Sequence, residues 1–258
     1  MRHPFLSNLL MAALLVAFVL GAVAMTGQWE RVVVRPAGAL FAAVQATGSY
    51  ALDAPSDSSS ARTDASPSNA SEIGDARAAL TALDGVSVSG PRRTPEYDRR
   101  EFGPTWADVD GNGCDTRNDV LRRDLTDLTV ERDGCTVLAG TLDDPYTGKQ
   151  IPFTRGVSTS AAVQIDHVVP LSYAWSNGAW AWDEAKRTRF ANDTGNLLAV
   201  DGIANTGKSD SGPAEWEPKN RAYRCSYSAR FVSVADRYDL TILPADAVML
   251  RHTLEGCR

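Results

Sequence analysis

Two short stretches of this sequence gather residue types able to do chemistry. The first is QIDHVVPLS, Gln164–Ser172, in which Asp166 and His167 are adjacent. The second is NDTGNLLAVDGIANTGKSD, Asn192–Asp210, which carries Asn196, Asn205 and Lys208. A carboxylate and an amide oxygen are hard ligands that suit Mg²⁺, an ion that keeps several of its waters. A neutral imidazole, with an ordinary pKa of about 6.5, suits a general base near neutral pH. Phosphodiester hydrolysis uses both, a cation to stabilise the departing oxygen and a base to activate water. Adjacent strand residues point to opposite faces, so Asp166 and His167 can serve one site only where a strand ends and twists. Pro170 stands where that end is needed.

The elements that must position these residues follow from pattern. Ala162–Val169 is a β-branched run suited to a buried strand, stopped by Pro170. Asn196–Asp201 (NLLAVD) reads as a second short strand, and Gly202–Lys208 as a polar helix or turn after it. Between the two strands, Asp183–Ala191 (DEAKRTRFA) is a short charged helix whose acidic start suits the helix dipole. Pro218, placed in a helix first turn, is expected to open a long helix through PKNRAYRCSYSARFVSVADRYDL. A last helix is expected from about Pro244 to Leu254. Upstream, periodic structure is expected from about Glu72, with IGDARAALTAL as a modestly amphipathic helix. A strand, a long loop, a strand and a helix, with further helices around them, make an α+β fold.

Composition bounds the reading. With 258 residues, 43% hydrophobic and 22% charged, the chain is not wholly disordered, collagen-like or a polytopic membrane protein. A net charge of −6 argues against coating nucleic acid by bulk charge, so any such chemistry rests on a local site. The four cysteines form no C-x-x-C pair, and the histidines are only His3, His167 and His252, so a zinc site is not indicated. Paired as sequence neighbours, one choice among three connectivities, the cysteines give Cys114–Cys135 and Cys225–Cys257. Arg92-Arg93, Arg99-Arg100, Arg122-Arg123 and Lys186-Arg187-Arg189 could meet phosphates, although such clusters are usually solvated faces. The six tryptophans, Trp106 and Trp175 among them, read as packing residues.

The run D-H-V-V-P-L-S, the asparagine opening the second strand and N-x-x-K-S-D after it resemble the HNH (ββα-metal) endonucleases. The similarity is greatest to the C-terminal nuclease domain of GmrSD-type modification-dependent restriction enzymes and exported bacterial relatives. It extends through YDRREFGPTWADVDGNGCDTRNDVLRRDL (Tyr97–Leu125) to the EWEP around Trp216, and so covers roughly Tyr97 to Cys257. The resemblance implies a ββα-metal (HNH) core with surrounding helices, supported by disulfides. It implies Asp166 as a metal ligand and His167 as the general base. Asn196 would hold the loop and the orientation of the histidine through backbone contacts. Asn205, where many relatives have histidine, would be the second protein ligand, and Lys208 would contact a phosphate. The cofactor implied is Mg²⁺ or Mn²⁺, and the substrate is DNA, with RNA the other candidate, cut without sequence preference. No protein partner is implied. One departure is the four-cysteine zinc knuckle of many HNH domains, for which this sequence has no matching set.

A rival reading rests on Asp108, Asp110, Asn112 and Asp119, which match places in an EF-hand loop, although the last place should be glutamate. It makes the protein a noncatalytic, Ca²⁺-binding envelope or extracellular module; the bland alternative is a tight Asp/Asn/Gly turn. At the N-terminus, Arg2 and His3 precede an apolar run from Leu9 to Met25 that closes with Ala22-Val23-Ala24. Residues 1–24 thus read as a signal peptide or signal anchor, and the run is at the lower limit for spanning a bilayer. Residues 25–72 read as a membrane-proximal segment and a linker, Asp53–Ser71, too poor in apolar residues to order. Residues 73–258 are then the nuclease domain. The expected location is secreted or extracytoplasmic, held at a membrane only if the signal is kept.

Overall fold

The β-branched run before Pro170 forms one strand of a two-stranded ladder that lies between two hydrophobic cores. The computed structural model describes the backbone of residues 67–257 and side chains from residue 74 onward. The expected signal or anchor (1–24), and most of the expected membrane-proximal segment and linker (25–72), lie outside the described residues.

The described chain begins with helix α1 (Pro67–Gly85), which starts inside the segment expected as linker, with proline in its first turn. Helix α2 (Thr116–Asp124) follows, capped by Asp115, whose side chain accepts from the Asn118 N–H. It leads directly into strands β1 (Leu125–Val130), β2 (Val137–Asp143) and β3 (Gln150–Thr154), an antiparallel sheet in the order β1-β2-β3. Strand β4 (Val163–His167) pairs antiparallel with β5 (Leu197–Asp201), with Asp166 opposite Leu198 and His167 opposite Leu197. Between them lie α3 (Leu171–Ser176) and α4 (Glu184–Ala191), the latter capped by Asp183. Helix α5 (Gly202–Lys208) leaves β5 at once, and α6 (Arg224–Arg237) and α7 (Pro244–Gly256) close the fold. Mixed α+β is the observed class.

Side chains alternate along β4, so Val163 and Ile165 share one face and Gln164 and Asp166 the other. The first face packs, with Leu197 and Ala199 of β5, against α2 and the three-stranded sheet. Leu198 and Val200, from the other face of β5, join the helical core of α1, α3, α4, α6 and α7. Gly202 is required at the turn from β5 into α5, because an added Cβ would collide with the Ala161 carbonyl.

Two expectations are corrected. The sheet β1-β2-β3 was not expected, since its strands are short and half polar and carry Gly140 and Pro152. The helix expected to open at Pro218 starts at Arg224, after a 3₁₀ turn, Arg221–Tyr223, capped by the Asn220 side chain. The Asn220 N–H is given to the Tyr146 carbonyl and the Pro218 carbonyl accepts from Arg224, which holds this stretch out of the helix.

The disulfides are Cys114–Cys135 and Cys225–Cys257, closing spans of 21 and 32 residues. The first ties the Asp108–Gly113 loop to the β1–β2 turn, and the second joins α6 to the end of α7. Reduction is expected to lower the unfolding free energy by roughly 3–4 kcal/mol per bridge. Denaturant melts with and without reductant test this, and an unchanged midpoint would show that neither bridge supports the fold.

Candidate active site

Strand β4 ends at His167, and at this end Asp166 and His167 line the same cavity, about 420 Å³, with Asn205 on its rim from α5. Each of the three is fixed by a contact that follows from its place in the chain.

Asp166 and Gln164 stand two residues apart on one face of β4, and Asn205 and Lys208 stand three apart on α5. The helix therefore crosses the strand through two side-chain pairs. Asn205 Nδ2 donates to Gln164 Oε1 at 2.9 Å, and Lys208 Nζ donates to Asp166 Oδ1 at 3.0 Å. Lys208 also donates to the His167 carbonyl at 2.9 Å and has no exposed surface. Asp166 Oδ2 accepts from the Tyr146 hydroxyl at 2.5 Å. Burial raises the Asp166 carboxyl from the usual carboxylate range, while Lys208 and Tyr146 pull against that shift.

His167 is held by the end of a helix. Its Nε2 lies 2.8 Å from the carbonyl of Ala191, the last residue of α4. Such a carbonyl has no partner within its helix, and it can only accept. Nε2 therefore carries the proton, and Nδ1 keeps the free lone pair. Burial pushes the imidazole down to about 4, and the Arg99 and Lys208 charges act in the same direction, so the ring is neutral near pH 7. The Trp106 ring lies beside it, 6.5 Å between centroids and nearly parallel, on a backbone with positive φ.

Asn196, wholly buried, extends the β4–β5 ladder with its own side chain. Oδ1 accepts from the Val169 N–H at 2.8 Å, Nδ2 donates to the Val169 carbonyl at 3.1 Å, and the Asn196 carbonyl accepts from Val168. The chain leaving His167 is thereby pinned before Pro170 starts α3. Asn196 touches the loop, not the cavity lining.

Tyr146 is a site residue that pattern reading missed. It sits in the β2–β3 turn, where Asp144 accepts from Thr147 and, across to β5, from the Asp201 N–H at 2.9 Å. The D-P-Y-T-G composition marks the turn, but nothing local shows that its tyrosine reaches Asp166. Trp216 packs on the Tyr146 ring at 4.8 Å. The placement of Lys208 also differs from what the resemblance implied: fully covered and bonded to Asp166 and a carbonyl, it presents no surface to a phosphate.

The donor set fits a hard divalent cation. Among the described residues no three His, Cys, Asp or Glu side chains gather to hold a metal, so a cation here would take one carboxylate, one amide oxygen and water. Asn205 has committed its amide nitrogen to Gln164, which leaves Oδ1 as the atom without a partner, and a carboxylate oxygen with one hydrogen bond keeps a second lone pair. In the Asp108 loop the Asp108 carboxylate accepts from the N–H groups of Gly111, Asn112 and Gly113. Asn112 bridges Asp110 and Asp119. The loop lies next to the Cys114–Cys135 bridge.

Residues 115–253 match the family described as GmrSD restriction endonucleases, C-terminal domain. The chain is also 37% identical over 187 residues to a protein of Arthroderma benhamiae named "Uncharacterized secreted protein", covering 72% of this chain and 87% of that one. No solved structure matches. The chain belongs to the GmrSD C-terminal domain family, a family of nucleases.

The Lys208→Met variant would leave the Asp166 carboxylate buried with no cation. It is expected to lose roughly 3–5 kcal/mol of stability, whereas Asn205→Ala, at the partly exposed rim, is expected to lose about 1 kcal/mol. Thermal or urea unfolding of the two variants tests the difference; equal, small losses would mean the Asp166–Lys208 pair does not hold α5.

Proposed function

We propose that this protein is a secreted, divalent-metal-dependent HNH-type endonuclease that hydrolyses phosphodiester bonds of DNA without sequence preference. The observation that carries the reading is the convergence of Asp166, His167 and Asn205 at one strand end, with the free lone pairs of His167 Nδ1 and Asn205 Oδ1 left over by their other bonds. Family membership supports the reaction class, and the relative's printed name together with two disulfides supports an oxidising, extracytoplasmic location. Among the described residues no helix is long and apolar enough to cross a membrane.

Asp166 and Asn205 would hold Mg²⁺ or Mn²⁺. When bound, the cation supplies positive charge that stabilises the departing 3′ oxygen. His167 does the proton work. Its Nδ1 accepts a proton from water as the water oxygen bonds to phosphorus and the bond from phosphorus to the 3′ oxygen breaks; the 3′ oxygen then takes a proton from solvent. The Ala191 carbonyl keeps the ring in the required tautomer and steadies the imidazolium that forms. Asn196 holds the strand end so that the ring does not drift. A net charge of −6 suits a nuclease that grips the backbone locally and not by bulk charge.

Incubating the full chain with supercoiled plasmid and Mg²⁺ or Mn²⁺ is expected to give nicked and linear DNA, with EDTA abolishing the reaction. His167→Ala is expected to lower the rate by about 10²–10⁴-fold while melting like the parent. Wild-type rates in His167→Ala would remove the assigned base. Cutting of RNA alone would replace the substrate.

A further inference from the structure

With Lys208 covered, the site as described has no cation facing its cavity from α5, yet a phosphodiester brings negative charge into it. One arginine, Arg99, lines that cavity. Arg99 opens the 3₁₀ turn Arg99–Phe102 and shares the cavity wall with His167, Asn205 and Asp210. It is half-buried and, among the described residues, forms no ion pair, while its neighbour Arg100 is exposed and closed on Asp98.

The turn that carries Arg99 is anchored to the core and to α4. Asp98 caps it by accepting from the Arg100 N–H at 2.9 Å. Phe102 is fully buried and meets the rings of Trp175 and Phe190, each at 6.1 Å between centroids. Arg187 of α4 donates to the Glu101 carbonyl at 2.7 Å and pairs with its carboxylate at 3.0 Å. Trp175 Nε1 donates to the Pro95 carbonyl at 2.9 Å, fixing the approach to the turn. The same helix α4 that holds His167 through Ala191 thus also holds the turn of Arg99. Base and arginine are set on one rigid support, as a group that must meet a transition state requires.

We propose that Arg99, not Lys208, is the residue that receives the scissile phosphate, donating from its guanidinium to a non-bridging oxygen. The guanidinium fork matches phosphate geometry. Lys208 then acts indirectly, by positioning Asp166 and the strand end. The proposal rests on the hydrolytic reading given above.

The test uses the full chain and a 20-base-pair DNA duplex as probe. In a His167→Ala background with Mg²⁺, binding is measured against salt concentration with and without Arg99→Ala. Loss of one phosphate contact is expected to reduce the slope of log affinity against log salt by about 0.9, and Arg99→Lys is expected to keep the slope. In the otherwise unmodified chain, Arg99→Ala is expected to lower kcat/KM for plasmid cleavage by about 10²-fold, and Arg100→Ala to leave it unchanged. All variants are expected to melt with the parent, since Arg99 has no bonded side-chain partner among the described residues. An unchanged salt slope in Arg99→Ala, or cleavage within about twofold of the parent, overturns the assignment of Arg99 and leaves the nuclease reading standing. If the parent chain cleaves neither DNA nor RNA with Mg²⁺ or Mn²⁺, the nuclease reading fails, and Arg99 with it.

Discussion

The ion pair between Lys208 and Asp166 is the interaction on which the site depends. Taking both charges out of water is expensive, and their attraction compensates only when the remaining donors and lone pairs are also met. Here Lys208 gives a further bond to the His167 carbonyl, and Asp166 accepts from Tyr146. The pair therefore ties three separate pieces of chain together: helix α5, the end of strand β4 and the β2–β3 turn. Breaking it would release the carboxylate and the backbone of the adjacent histidine at once. A buried pair of this kind contributes specificity of arrangement more than net stability.

Around that pair the fold arranges complementary supports. One face of β4 and β5 is sealed by α2 and the three-stranded sheet, and the other by the helices, so the strand end is fixed from both sides. The segment between the two strands, long enough to hold α3 and α4, returns with the Ala191 carbonyl to orient His167 and with Asn196 to pin the chain beyond it. Asp166 and His167 thus stand side by side at one strand end, and Asn205 reaches it from α5, adjacent in space and separated in sequence.

Much of this was legible in the amino-acid pattern. The β-branched run before Pro170, NLLAVD, the charged helix after Asp183 and the α+β class carry local signals strong enough to read. Asn196 declared itself by opening the second strand. What stayed hidden depends on non-local contacts. The strands β1–β3 are short and bury few of their side chains, and Pro152 and Gly140 mimic loop signals. Tyr146 resembles any turn tyrosine until β5 brings Asp201 against its turn. Lysine is rarely buried, so composition offered no reason to cover Lys208; the crossing of α5 over β4 decides it. The start of α6 moved because Asn220 is held by the β2–β3 turn, a contact invisible to helix propensity. Arg99-Arg100 looked like one cluster among several, and only the cavity separates the two arginines.

Counting bound Mn²⁺ by electron paramagnetic resonance tests most directly whether one acid and one amide at the end of β4 hold a cation. The parent chain is expected to bind a single ion per molecule, and Asp166→Asn and Asn205→Ala each to abolish that binding while the protein stays folded. A parent that binds none, or variants that bind as the parent does, would contradict the site described for this strand end.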